Sequence, residues 1–125
     1  MSKIQATFAK LRAKREKALI TFVTAGDPPL DQLPAVLDSL VAGGADIIEI
    51  GLPFSDPIAD GPTIQASSQR ALERGVTPLA ALQAIREWSS PERPPIVLMG
   101  YYNPMLRHGL GDFAHEARES GANGM

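Results

Sequence analysis

Glu49-Ile50-Gly51-Leu52-Pro53-Phe54-Ser55-Asp56-Pro57-Ile58-Ala59-Asp60-Gly61-Pro62-Thr63 is the stretch that decides the fold. It starts at the end of an apolar run, Asp46-Ile47-Ile48-Glu49-Ile50, which reads as a buried strand. A carboxylate stands in that strand where Val or Ile is expected. A proline-stiffened loop with two more carboxylates follows, and Gly61-Pro62-Thr63 then opens a helix. A strand end feeding a rigid acidic loop is where an α/β enzyme keeps its chemistry. The stretch reads as an active site.

Upstream, Ile4, Phe8 and Leu11 mark one face of a helix, and Ala18 to Thr24 is a first strand rich in β-branched and aromatic residues. Ala25-Gly26-Asp27-Pro28-Pro29 breaks it, and the Asp-Pro pair suits a turn into a helix. Leu33, Val36, Leu37, Leu40 and Val41 form the apolar face of that helix, which ends at Gly43-Gly44. Downstream, one helix runs to Arg74, and Thr77-Pro78 caps another through Leu79, Leu82, Ile85 and Trp88. Ile96 to Met99 is a third strand, leaving through a loop at Gly100-Tyr101-Tyr102-Asn103-Pro104. A last helix spans Asp112 to Ser120.

Strands this continuously apolar are buried on both faces and belong to a parallel sheet covered by helices. The ending repeats an earlier pattern. Val41-Ala42-Gly43-Gly44-Ala45-Asp46 leads into the second strand, and Glu119-Ser120-Gly121-Ala122-Asn123-Gly124-Met125 has the same helix-glycine-alanine-polar order. A fourth strand is announced. The expectation is one α/β domain over residues 1–125, about three β/α units and an N-terminal helix, forming the N-terminal portion of a barrel cut near its middle.

Composition sets the bounds. With 44% hydrophobic and 21% charged residues, the chain has the make-up of a globular domain. Zero cysteines exclude disulfides and thiolate metal sites and fit a reducing cytoplasm. No run is long enough for a membrane span, and a net charge of −2 gives no pull towards nucleic acid or an anionic membrane. Lys3, Lys10, Arg12, Lys14, Arg15 and Lys17 face only Glu16, so the N-terminus is basic. A transit peptide and a basic helix capping the domain both fit that charge; the apolar face favours the helix.

Alternation puts Ile47, Glu49 and Gly51 on one face of the second strand and Ile48 and Ile50 on the other. On the helix-packing face Glu49 would be an unpaired buried charge costing several kcal/mol. Facing inward near the strand's C-terminal end, it meets substrate and water and suits proton transfer. A structural Glu paired with a buried cation is the alternative, but no basic residue occurs between Lys17 and Arg70. Asp60 has three readings: an N-cap of the following helix, a Mg²⁺ ligand with Glu49 and Asp56, or the second member of an acid/base pair with Glu49. Phe22 and Tyr101, near strand ends, line a pocket for an aromatic substrate or merely pack. His108 and His115 fall on a polar loop and a helix without metal-ligand spacing, and Trp88 reads as core. No nucleotide or phosphate loop motif appears.

Glu49 through Gln65 closely resembles the alpha subunit of tryptophan synthase, as do Phe22-Val23-Thr24-Ala25-Gly26-Asp27-Pro28, Gly75-Val76-Thr77-Pro78 and Leu98-Met99-Gly100-Tyr101-Tyr102-Asn103-Pro104. The likeness covers essentially the whole chain, and the central motif is long and gapless. It implies a (β/α)₈ TIM barrel that cleaves indole-3-glycerol phosphate to indole and glyceraldehyde 3-phosphate in tryptophan biosynthesis. Glu49 and Asp60 match the family's catalytic carboxylates. Phe22 and Tyr101 match positions around the indole. Pro53, Asp56 and Pro57, with the loop at Asn103 and Pro104, match surfaces facing the pyridoxal-phosphate-dependent beta subunit of an α₂β₂ tetramer. The resemblance implies no metal and no cofactor for this reaction. The family's phosphate-binding glycines and closing loop lie beyond Met125, so the 125-residue chain by itself is expected to be inactive. Two other classes stay open: a metal-dependent barrel enzyme using Glu49, Asp56 and Asp60, and a non-catalytic half barrel that docks on a partner.

Overall fold

The computed structural model describes every residue from Met1 to Met125. The elements run α1 (Lys3–Lys14), β1 (Ile20–Thr24), α2 (Leu33–Ala42), β2 (Ile47–Gly51), α3 (Pro62–Glu73), α4 (Pro78–Trp88), β3 (Ile96–Met99), α5 (Tyr102–His108) and α6 (Leu110–Glu119), with a 3₁₀ turn at Leu30–Gln32. The strands form one parallel sheet in the order β1-β2-β3. This is part of a (β/α) barrel, as the strand pattern implies. No helix is long and apolar enough to cross a membrane.

Register fixes the two faces. Phe22 pairs with Glu49, and Glu49 with Val97, so these three share the inner face; Thr24, Gly51 and Met99 form the next layer. Ile48, Ile50, Ile96 and Leu98 point the other way and pack against Leu33, Leu37, Leu82, Ile85, Trp88 and Phe113 of α2, α4 and α6. Burying these aliphatic side chains gives about 1.5–3 kcal/mol each before chain entropy opposes it. Trp88 is core as expected, and its indole N–H donates to Asp38 at 2.8 Å.

Four helices end in one motif. The amides of Glu16, Ala45, Val76 and Ala122 reach back to the carbonyls of Leu11, Leu40, Ala71 and Ala117. The residue before each is left-handed: Arg15, Gly44, Gly75 and Gly121. After two of these ends, one polar side chain starts a strand. Asp46 accepts from the Leu19 amide at 2.8 Å, and Asn123 accepts from the Ile96 amide at 3.0 Å. The repeated pattern thus does the same work twice. Gly124 forms a parallel bridge with Val97, where the fourth strand is announced.

The basic N-terminus is a helix, opened by a capping box at Ser2 and Gln5 and seated by buried Leu11. Asp27-Pro28 enters the expected turn, a 3₁₀ turn at Leu30–Gln32, and α2 follows from Leu33. Leu79 lies in α4 as expected, on its exposed side. The segment after β3 needs correction. Asn103 and Pro104 lie in α5, not a loop. Pro104 sits in the first turn, where its missing N–H sacrifices no helical hydrogen bond. His108 is therefore helical as well; it lies 3.1 Å from Glu116 and edge-on to Phe113.

Candidate active site

The C-terminal ends of the strands gather the residues singled out in the sequence. Glu49 is half-buried on the inner face of β2, between Phe22 and Val97. It takes part in no ion pair within the chain. Phe22 lies against the β2 backbone: a Cβ added at Gly51 would stand 2.6 Å from the ring. The glycine lets an aromatic ring cover the strand beside the carboxylate.

Asp60 is held from the side. Its Oδ2 accepts from the Tyr101 hydroxyl at 3.1 Å, and that hydroxyl accepts from the Ala59 amide at 3.0 Å. Because an amide can only donate, the phenolic proton is left for Asp60. The Tyr101 ring stacks on Phe54 with centroids 5.0 Å apart. Tyr101 therefore does more than line a pocket: it ties both ends of the acidic loop to the end of β3.

Two readings of the acidic loop are overturned. Asp60 does not cap α3; the N-cap is Gly61 and no side chain caps it. The metal-dependent alternative fails on geometry, since Glu49, Asp56 and Asp60 do not converge into a group that could hold a cation. Asp56 is exposed and its carboxylate meets only the Ser55 hydroxyl, at 3.1 Å. Pro57 and Pro104 are half-buried and Asn103 is exposed. Pro53, expected at a partner surface, is buried beneath the loop. Ile58, by contrast, is 88% exposed on the loop.

Sequence inspection gave no role to the polar residues of α3, which hold the loops. Ser68 accepts from the Phe54 amide at 3.1 Å, and Ser67 shares a 2.7 Å hydrogen bond with Thr24 at the end of β1. Gln65 donates to the Pro57 and Asp60 carbonyls at 3.3 and 2.8 Å. Arg70 grips the Asp27 carboxylate through Nε and Nη2, and Arg74 adds a third contact at 3.1 Å. The Arg70 hydrogen bond is the main reason that the Asp27 carboxyl is held below its ordinary pKa. The available signal was helical spacing: Ser67, Arg70 and Arg74 fall on one stripe, Gln65 and Ser68 on its neighbour. An open groove between α4 and α6, lined by Leu79, Arg86, His115 and Glu119, contains none of these groups.

The chain is 55% identical over 125 residues to the tryptophan synthase alpha chain of Azoarcus sp. (strain BH72), covering 99% of this chain and 46% of that relative. It is 53% identical to the corresponding chain of Geobacter sulfurreducens, covering 47% of it. The crystal structure of tryptophan synthase subunit alpha from Legionella pneumophila superposes with a TM-score of 0.93 at 41% identity, over 98% of this chain and 47% of that one. The chain spans about half the length of the curated relatives it matches. Residues 8–125 match the family model described as "Tryptophan synthase alpha chain", and the chain belongs to that family.

Proposed function

We propose that this chain supplies the catalytic carboxylates of a carbon–carbon lyase that cleaves indole-3-glycerol phosphate to indole and glyceraldehyde 3-phosphate. Residues 1–125 form a single domain, the N-terminal half of the barrel. Glu49 protonates the indole ring carbon that bears the side chain, then takes the proton of the side-chain hydroxyl as the carbon–carbon bond breaks. Asp60 accepts the indole N–H and stabilises positive charge on the ring nitrogen. Phe22 and Tyr101 flank the ring. The observation that carries this reading is the pairing of two unlike carboxylates, Glu49 unpartnered on the inner face and Asp60 held by Tyr101. The chemistry asks the first to move a proton and the second to stay ionised and aimed.

The exposed part of the acidic loop and α5 are the docking surface for the beta subunit of an α₂β₂ tetramer. Asp56, Pro57, Asn103 and Pro104 contribute to it, while Pro53 supports the loop from below. A docking module without catalysis is the second reading, favoured by the exposed Ile58. Docking alone, however, does not require a carboxylate inside a strand.

The test is an indole-release assay on a full-length alpha chain carrying these residues. Glu49→Gln keeps the circular dichroism spectrum and abolishes release, because an amide cannot carry the proton between substrate atoms. Residual activity within about tenfold of the parent removes Glu49 from this role. Asp60→Asn lowers kcat well beyond any loss of stability; a variant that melts earlier but turns over normally removes Asp60.

A further inference from the structure

α3 lies outside the main core cluster, yet its polar side chains hold both the end of β1 and the acidic loop after β2. Of its contacts, those of Gln65 lie nearest to the proposed chemistry. The Gln65 side-chain nitrogen donates to the Asp60 carbonyl at 2.8 Å and to the Pro57 carbonyl at 3.3 Å. Both partners are carbonyls, which only accept, so the amide orientation is fixed by its surroundings. The Asp60 amide meanwhile donates to the Pro57 carbonyl at 3.1 Å. One side chain therefore clamps the turn that carries Asp60 through its backbone, separately from the Tyr101 bond to its carboxylate.

We infer that Gln65 is a positioning residue for Asp60, holding its backbone as Tyr101 holds its carboxylate, an assignment that rests on the function proposed above. The Asp60 carboxylate has one intrachain partner, Tyr101, and needs its other oxygen for the substrate. Its aim therefore depends on the backbone, and the backbone is held by Gln65. Ser67 and Arg70 anchor the helix that carries the clamp, through Thr24 and Asp27 on the neighbouring strand end. A displacement of about an ångström at such a group costs rate far more than binding.

Gln65→Met keeps the length of the side chain and removes the donor. In a full-length alpha chain carrying these residues, kcat for indole release falls by about tenfold while KM changes little. In an Asp60→Asn background the same substitution costs nothing further, since Gln65 acts only through Asp60. Amide hydrogen exchange at Ala59 and Asp60 accelerates in Gln65→Met and reads the clamp independently of turnover. An equal loss in both backgrounds, or an active Gln65→Met with unchanged kcat, overturns the assignment. A parent chain that releases no indole overturns the function itself; unchanged exchange at Ala59 and Asp60 overturns the clamp.

Discussion

Tyr101 and Asp60 are joined across forty-one positions of sequence by a 3.1 Å hydrogen bond whose direction is set by a third group, the Ala59 amide. The tyrosine accepts from the amide and donates to the carboxylate. Tyr101→Phe keeps the ring stacked on Phe54 and loses both bonds. A hydrogen bond to a charged group contributes about 1.5–3 kcal/mol, so in a full-length alpha chain carrying these residues kcat for indole release falls roughly ten- to a hundredfold. Steady-state kinetics beside a melting curve check it. A loss of stability with normal kcat assigns Tyr101 to structure alone.

Gly51 and Phe22 are in direct opposition. Gly51→Ala places a methyl 2.6 Å from the Phe22 Cζ and 2.9 Å from its Cε2. The ring must swing off the strand, at an overpacking cost of about 1–3 kcal/mol. Because Phe22 flanks Glu49, KM for the proposed substrate, indole-3-glycerol phosphate, rises as well in a full-length alpha chain carrying these residues. Denaturant titration and steady-state kinetics read the two effects separately.

Asp27 makes stability depend on pH. Its carboxyl pKa is depressed, by the Arg70 hydrogen bond first and Arg74 after it. A depressed carboxyl contributes stability that is fully present above its unfolded value of about 3.9 and is lost as pH falls through the folded value. Melting temperature therefore drops as pH falls below about 4, and Asp27→Asn flattens that part of the curve while lowering stability at neutral pH. Parallel curves for parent and variant would refute the assignment.

Asp56 has no chemical task in the proposed reaction and is exposed beside Ile58. Asp56→Ala in a full-length chain weakens activation by the beta subunit more than it lowers the isolated lyase activity. Calorimetric titration and paired activity assays measure both. Unchanged affinity together with unchanged activation removes Asp56 from the interface.

β1 has no neighbour on its outer edge, and Leu19 and Ile20 are about half exposed there. Open edges flanked by apolar side chains pair with other chains. A polypeptide of these 125 residues therefore self-associates and releases no indole. Sedimentation velocity showing a dispersed monomer, or turnover near that of a full-length relative, contradicts this.

Local sequence carried what local physics controls. The strands were legible because continuous apolar runs have no other stable use, and the helix ends because Gly44, Gly75 and Gly121 take a backbone conformation that side chains resist. Glu49 stood out because a carboxylate inside such a strand is costly unless it is used. Arg15 ends α1 in the same conformation without glycine, so composition gave that end no marker. α5 was hidden by Pro104, which signals a loop in sequence but is harmless in a helix's first turn.

What only the tertiary structure decided is which polar groups meet. Asp56 and Asp60 are equivalent to a reader of the loop, yet one faces solvent and the other is held by Tyr101. Asp60 before Gly-Pro-Thr looks like a helix cap, and Tyr101, just beyond β3, claims it instead. Gln65, Arg70 and Arg74 look like the solvated face of an ordinary helix until the loops they grip are brought beside them. Periodicity reports how a segment presents its faces. It carries no record of the partner, because a hydrogen bond between residues forty positions apart depends on how the strands between them are placed.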